Sequence, residues 1–156
     1  MDRRMFLAVS SAALGAAALP LPAFAADSAP LLAPWTGPYG GVPPFDQVKI
    51  ADFAPALEAA MALELEEIEA IANNPEPATF DNTIAALERA GAALDRVGAP
   101  YWVWGGTLSN PEMRAVETAM APRLSAHSDK ILQNAKLFAR IEQVYEGRES
   151  AGLTPE

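Results

Sequence analysis

The chain has 156 residues, 51% of them hydrophobic and 20% charged, with no cysteine, one histidine, and 20 acids against 11 bases for a net charge of −9. That composition excludes a disulfide framework, a thiol nucleophile and a thiolate metal site, and one histidine cannot supply a zinc triad. So acidic a chain also lacks the basic stripe that phosphate contact requires, which excludes nucleic acid as a partner.

In chain order, residues 1–25 read as an export signal. Arg3 and Arg4 precede an apolar, alanine-rich stretch running to Leu21, and Ala23-Phe24-Ala25 fits the small-x-small pattern for cleavage after Ala25. The stretch is too short and too rich in alanine to span a bilayer, which takes about 20 strongly apolar residues. No cysteine follows it, so no membrane anchor is expected after processing. Arg3-Arg4 followed by Met5-Phe6-Leu7 resembles a twin-arginine signal, although Asp2 and Ala8 depart from its usual flanks; general secretion is the alternative. Either route implies a periplasmic protein. Removing Met1 to Ala25 takes away one acid and two bases, which leaves 19 acids against 9 bases.

Residues 26–51 form a Pro/Gly-rich arm. Pro30, Pro34, Pro38, Pro43 and Pro44 alternate with Gly37, Gly40 and Gly41, a pattern that opposes helix and favours turns and extended chain. Leu31, Leu32, Trp35, Tyr39, Val42 and Phe45 are too apolar for a solvated linker, so the arm is expected to lie ordered across a helical body, its aromatics packing anchors more than a peptide-binding strip.

Residues 52–149 read as about four helices arranged as antiparallel hairpins, an all-α fold without strands. Asp52 can cap a first helix with Pro55 in its first turn, and Phe53, Leu57, Met61, Leu65, Ile68 and Ala72 recur at gaps of three and four. Asn73-Asn74-Pro75-Glu76-Pro77 stops it. Thr79 caps a second helix whose seam is Phe80, Ile84, Leu87, Gly91, Leu94, Gly98 and Tyr101, with glycines that admit a close partner. Pro100 is expected to kink or end it near Gly98, and Gly105-Gly106 with Ser109-Asn110 marks the next turn. Asn110 and Pro111 start a third helix with the stripe Met113, Val116, Met120, Leu124, His127 and Ile131 and a bend at Pro122. A fourth helix after Gln133-Asn134 carries Leu137, Phe138, Ile141, Val144 and Tyr145 and frays from Gly147 to Gly152, and residues 150–156 are a connector.

Three features invite a chemical reading. Asp52, Glu58, Glu64, Glu66, Glu67, Glu69 and Glu76 gather with no Lys or Arg among them, but without calcium-loop spacing they read as a solvated acidic face. Ala126-His127-Ser128-Asp129 sets a base, a hydroxyl and a carboxylate side by side. Consecutive helical residues point apart, so adjacency gives no triad geometry, and His127 lies on the apolar stripe as a packed or interface residue. Tyr101-Trp102-Val103-Trp104 is core material by its spacing and a possible docking surface by its aromatic area. No H-E-x-x-H, G-x-S-x-G, phosphate-binding loop or dinucleotide fingerprint occurs, so no catalytic, metal or cofactor-binding residue is assigned.

The strings Pro43-Pro44-Phe45-Asp46, Asp52-Phe53-Ala54-Pro55-Ala56-Leu57-Glu58, Glu67 to Pro77, Thr79-Phe80-Asp81-Asn82-Thr83-Ile84, Ala85-Ala86-Leu87-Glu88, Ala121 to Asp129 and Lys136 to Arg140 occur in a fixed order. In that order they resemble the N-terminal region of peptidyl-dipeptidases of the Dcp type, from the thimet oligopeptidase and oligopeptidase A family of zinc metallopeptidases. The resemblance runs from about Pro34 to Pro155, and the Ala70 to Pro77 run places it nearer the peptidyl-dipeptidases than oligopeptidase A. It implies an enzyme that releases C-terminal dipeptides from short peptides in a deep channel. There a helical H-E-x-x-H and a further glutamate hold zinc, and zinc-bound water attacks the peptide carbonyl. None of those residues has a counterpart here, so the chain is expected to be a lid segment truncated before the catalytic domain, binding no zinc and inactive alone. A stand-alone, non-catalytic helical binding module is the alternative.

Overall fold

The computed structural model of the chain describes residues 29–38, 41–108 and 110–149, and all regular structure among them is helical. Arg3, Arg4, the Ala25 cleavage position, Tyr39, Gly40, Ser109 and the 150–156 connector lie outside the described residues. The arm opens with one helical turn, α1 (Ala29–Leu32), where the sequence implied none; Pro30 is tolerated because first-turn N–H groups have no intrahelical acceptor to lose. Leu31 and Leu32 are buried and dock α1 on the helical body.

Helix α2 (Ile50–Ala72) is the centre on which α1, α4, α5 and α6 all pack. It begins two residues earlier than Asp52. Asp52 sits in the first turn and caps it from within, its Oδ2 accepting the Lys49 N–H at 2.7 Å, so the carboxylate still serves the N-terminus from a different position. Pro55 accordingly falls in the second turn. Phe53, Leu57, Met61, Ile68 and Ala72 are buried as their spacing requires, joined by Ala56, Ala59 and Ala60, which let neighbouring helices approach closely. The helix stops at Asn73, ahead of Pro75 and Pro77.

The expected second helix is three pieces. Thr79 caps a π-helical turn (Phe80–Ile84), with Thr79 Oγ1 accepting from the Asn82 N–H at 3.2 Å and Asn82 Oδ1 accepting from the Thr79 N–H at 2.8 Å. The short α3 (Ala85–Arg89) follows, and the chain breaks at Gly91, whose φ of +80° is the left-handed conformation that glycine adopts without penalty. Helix α4 (Ala92–Thr107) then continues past Pro100, so of the expected kink or end near Gly98 the end does not occur. Pro100 is buried with Val97 and Tyr101, so packing on both sides offsets the missing hydrogen bond. Gly105 and Gly106 lie in the last turn of this helix, which ends at Thr107, instead of forming the turn after it.

Helix α5 (Pro111–Leu132) starts as its sequence dictates, Asn110 Oδ1 accepting the Met113 N–H at 2.8 Å with Pro111 in the first turn, and continues through Pro122. Helix α6 (Ala135–Gly147) is capped by Asn134. Early α2 meets late α4, so these two are antiparallel, whereas pairs from α2 to α5 rise together (Glu58 with Arg123, Glu64 with His127), so α5 lies parallel to α2. Helix α6 then crosses the C-terminal end of α2 and the π-helical turn instead of lying along α5. Two apolar cores result. The larger holds Leu31, Phe53, Leu57, Val97, Tyr101, Met113 and Met120; the smaller joins Ile68, Ile71 and Ala72 to Leu137.

Candidate functional site: the outer faces of α2 and α4

The acidic run on α2 is only partly a solvated face. Glu67 Oε2 accepts the N–H of Gly91 at 2.8 Å, which holds the start of α4. Glu64 Oε2 lies 2.6 Å from His127 Nε2 on α5, and a Cβ on Gly91 would come within 2.6 Å of Glu64 Oε1. Glu69 accepts from Asn73 Nδ2 at 2.6 Å, and Glu58 pairs with Arg123 in the open, where an ion pair contributes little. Two of the carboxylates thus clamp α4 and α5 to α2, leaving Glu66 free for solvent. Sequence periodicity marked these residues as polar and had no means of naming partners on other helices.

His127 is buried at the α2–α5 interface, as its place in the apolar stripe implies, with Glu64 against one ring nitrogen. Ser128 and Asp129 are exposed and contribute nothing to it, so no triad forms. Among the described residues no group of three or more His, Asp or Glu side chains could hold a metal ion. No helix among them is long and apolar enough to cross a membrane.

Sequence reasoning missed Arg140. Its guanidinium is buried on α6 and donates to Asn74 O at 2.9 Å, Glu76 O at 3.0 Å and Asn82 Oδ1 at 2.9 Å, fastening the 73–78 loop to the π-helical turn. Its one available signal was an arginine at i+3 from the buried Leu137, facing the core side of α6.

The aromatic cluster divides. Tyr101 is buried, with Phe53 edge-on at a centroid distance of 5.7 Å, and Phe53 also meets Trp104 at 5.3 Å. Burial, and secondarily the nearby Glu117 carboxylate, raise the Tyr101 hydroxyl above its ordinary value of 10.0. Trp102 and Val103 face outward, 64% and 50% exposed. Beside them a cleft of about 320 Å³ opens between α4 and α5 and reaches down to Leu57, lined mostly by Leu94, Gly98, Ala99, Trp102 and Leu124, with Asp95 as its one charged residue.

What these elements define is an all-α region whose described surface offers apolar and acidic faces. No family model matches the chain. It is homologous to the dipeptidyl carboxypeptidases. The protein of that name from Salmonella typhimurium is 37% identical over 114 residues, 73% of this chain and 17% of the relative. The one from Escherichia coli is 36% identical over 127 residues, 81% of this chain and 18% of the relative. The chain therefore spans less than a fifth of the length of these curated relatives. The zinc implied by the sequence resemblance does not fit the residues present: His127, the one histidine, is engaged by Glu64, and there is no cysteine.

Proposed function

We propose that this chain is the N-terminal helical part of an exported, zinc-dependent peptidyl-dipeptidase, where it flanks the channel that admits short peptides and takes no part in the chemistry. The observation that carries the reading is the disproportion of the match: 73–81% of this chain aligns with dipeptidyl carboxypeptidases, but only 17–18% of their length is involved. In this role the chain supplies shape and rigidity, and the acidic clamp on α2 and the Arg140 lock hold that shape. Peptide hydrolysis, zinc and general base belong to the remainder of the enzyme.

Translating the DNA downstream of the Glu156 codon tests the reading. An H-E-x-x-H in frame, or restored by one frame shift, is the expected result; its absence in every frame would refute it. Periplasmic export rests on Arg3, Arg4 and the apolar stretch behind them. Replacing both arginines with lysine should leave the protein in the cytoplasmic fraction if the twin-arginine route is used, and normal export of that variant points to general secretion.

A further inference from the structure

No charged residue occurs between Arg96 and Glu112, in a chain that is 20% charged. Most of that stretch is α4, and it is not interior on all sides: Ala99, Trp102, Val103 and Gly106 face outward. A solvent-facing helix ordinarily carries charge on its outer side, and an uncharged aromatic one marks a surface that is covered in the working protein. The neighbouring cleft extends the same surface inward, because α4 and α5 both lean on α2 and touch each other little, leaving a wedge floored by Leu57 and Leu124. Gly106 has open space where a Cβ would stand, so another backbone can approach the helix there. The exposed aromatics of α6 differ: Phe138 and Tyr145 stand among Lys136, Glu142 and Glu146, and Arg148 lies over the Tyr145 ring at 4.0 Å.

We infer that the outer face of α4, where Trp102 and Val103 stand exposed beside the α4–α5 cleft, is the docking surface for the remaining part of the peptidase chain, and that the segment seated there presents apolar side chains. The occupant follows from the comparisons: more than four-fifths of each relative has no counterpart here, so a partner surface is available in the same polypeptide. This rests on the reading of the chain as part of a peptidyl-dipeptidase. Buried aromatic anchors in a desolvated pocket dominate such contacts.

Hydroxyl-radical footprinting with mass spectrometry tests it on two proteins: the 156-residue chain alone, and the Escherichia coli dipeptidyl carboxypeptidase with its matching segment replaced by this chain. Oxidation of Trp102 should fall about fivefold or more in the replacement enzyme, as expected for an anchor leaving solvent, with Tyr145 little changed. An active replacement enzyme in which Trp102 stays as reactive as in the isolated chain would overturn the inference and leave the functional reading standing. A replacement enzyme that releases no dipeptide would remove that reading and the inference with it. Protection of Trp102 in the isolated chain by self-association, or by added phosphatidylcholine vesicles, would assign the face to a second copy or a lipid surface and overturn the choice of occupant.

Discussion

Replacing Arg140 with Met keeps most of the side-chain volume and removes the guanidinium, which isolates the contribution of its three hydrogen bonds. Each bond from a charged donor contributes about 1.5–3 kcal/mol where water is excluded. Here the sum is smaller, because Glu76 is exposed and water can replace the lost donor there, and because Arg140 Nε is buried without a partner, a cost the substitution relieves. The net loss should be about 2–3 kcal/mol. In urea, where a domain of this size loses about 1–3 kcal/mol per molar denaturant, the midpoint should fall by roughly 0.7–3 M at unchanged slope. Lys at the same position should recover only part of the loss, since one ammonium cannot span three acceptors set in a fork. A Met variant within about 0.5 kcal/mol of the parent would refute the view that Arg140 fastens the loop.

Gly91→Ala should cost about 1–2 kcal/mol for the left-handed backbone, and more because the new methyl displaces Glu64, so thermal denaturation should show a loss exceeding the backbone share alone. His127→Ala should lower stability by about 1–3 kcal/mol by opening a gap and stranding the Glu64 carboxylate, and Glu64→Gln combined with it should cost less than the two single losses added. Tyr101 has a native value raised above 10.0, so its contribution is fully present below pH 10 and is lost as pH rises through the native value. Alkaline unfolding should therefore steepen above about pH 10 and flatten in Tyr101→Phe.

Much of the fold was legible because apolar spacing and caps are local signals. The stripe of α5 from Met113 to His127 and the caps at Thr79, Asn110 and Asn134 needed only neighbouring residues. Gly91 falls on the small-residue seam, since helical spacing cannot separate a glycine that admits a partner from one that turns left-handed. Pro100 defeated the local rule because the packing of Val97 and Tyr101 around it is tertiary. For Glu64, Glu67 and Arg140 the local pattern named no partner, because their partners lie on other elements, up to 66 residues away in sequence for Arg140 and Asn74. Of the outward face of α4, the aromatic string was visible, but which rings turn inward depended on the helix continuing past Pro100.

Helix α2 touches every other major helix while α4 and α5 each meet α2 more extensively than they meet one another, and this has a consequence for how the chain comes apart. A single cut between α4 and α5 would leave both helices whole. The pieces on either side would stay associated through α2, so the molecule tolerates a nick as two complementing fragments, provided α2 remains whole. A cut inside α2 removes the common support, and both cores disperse together.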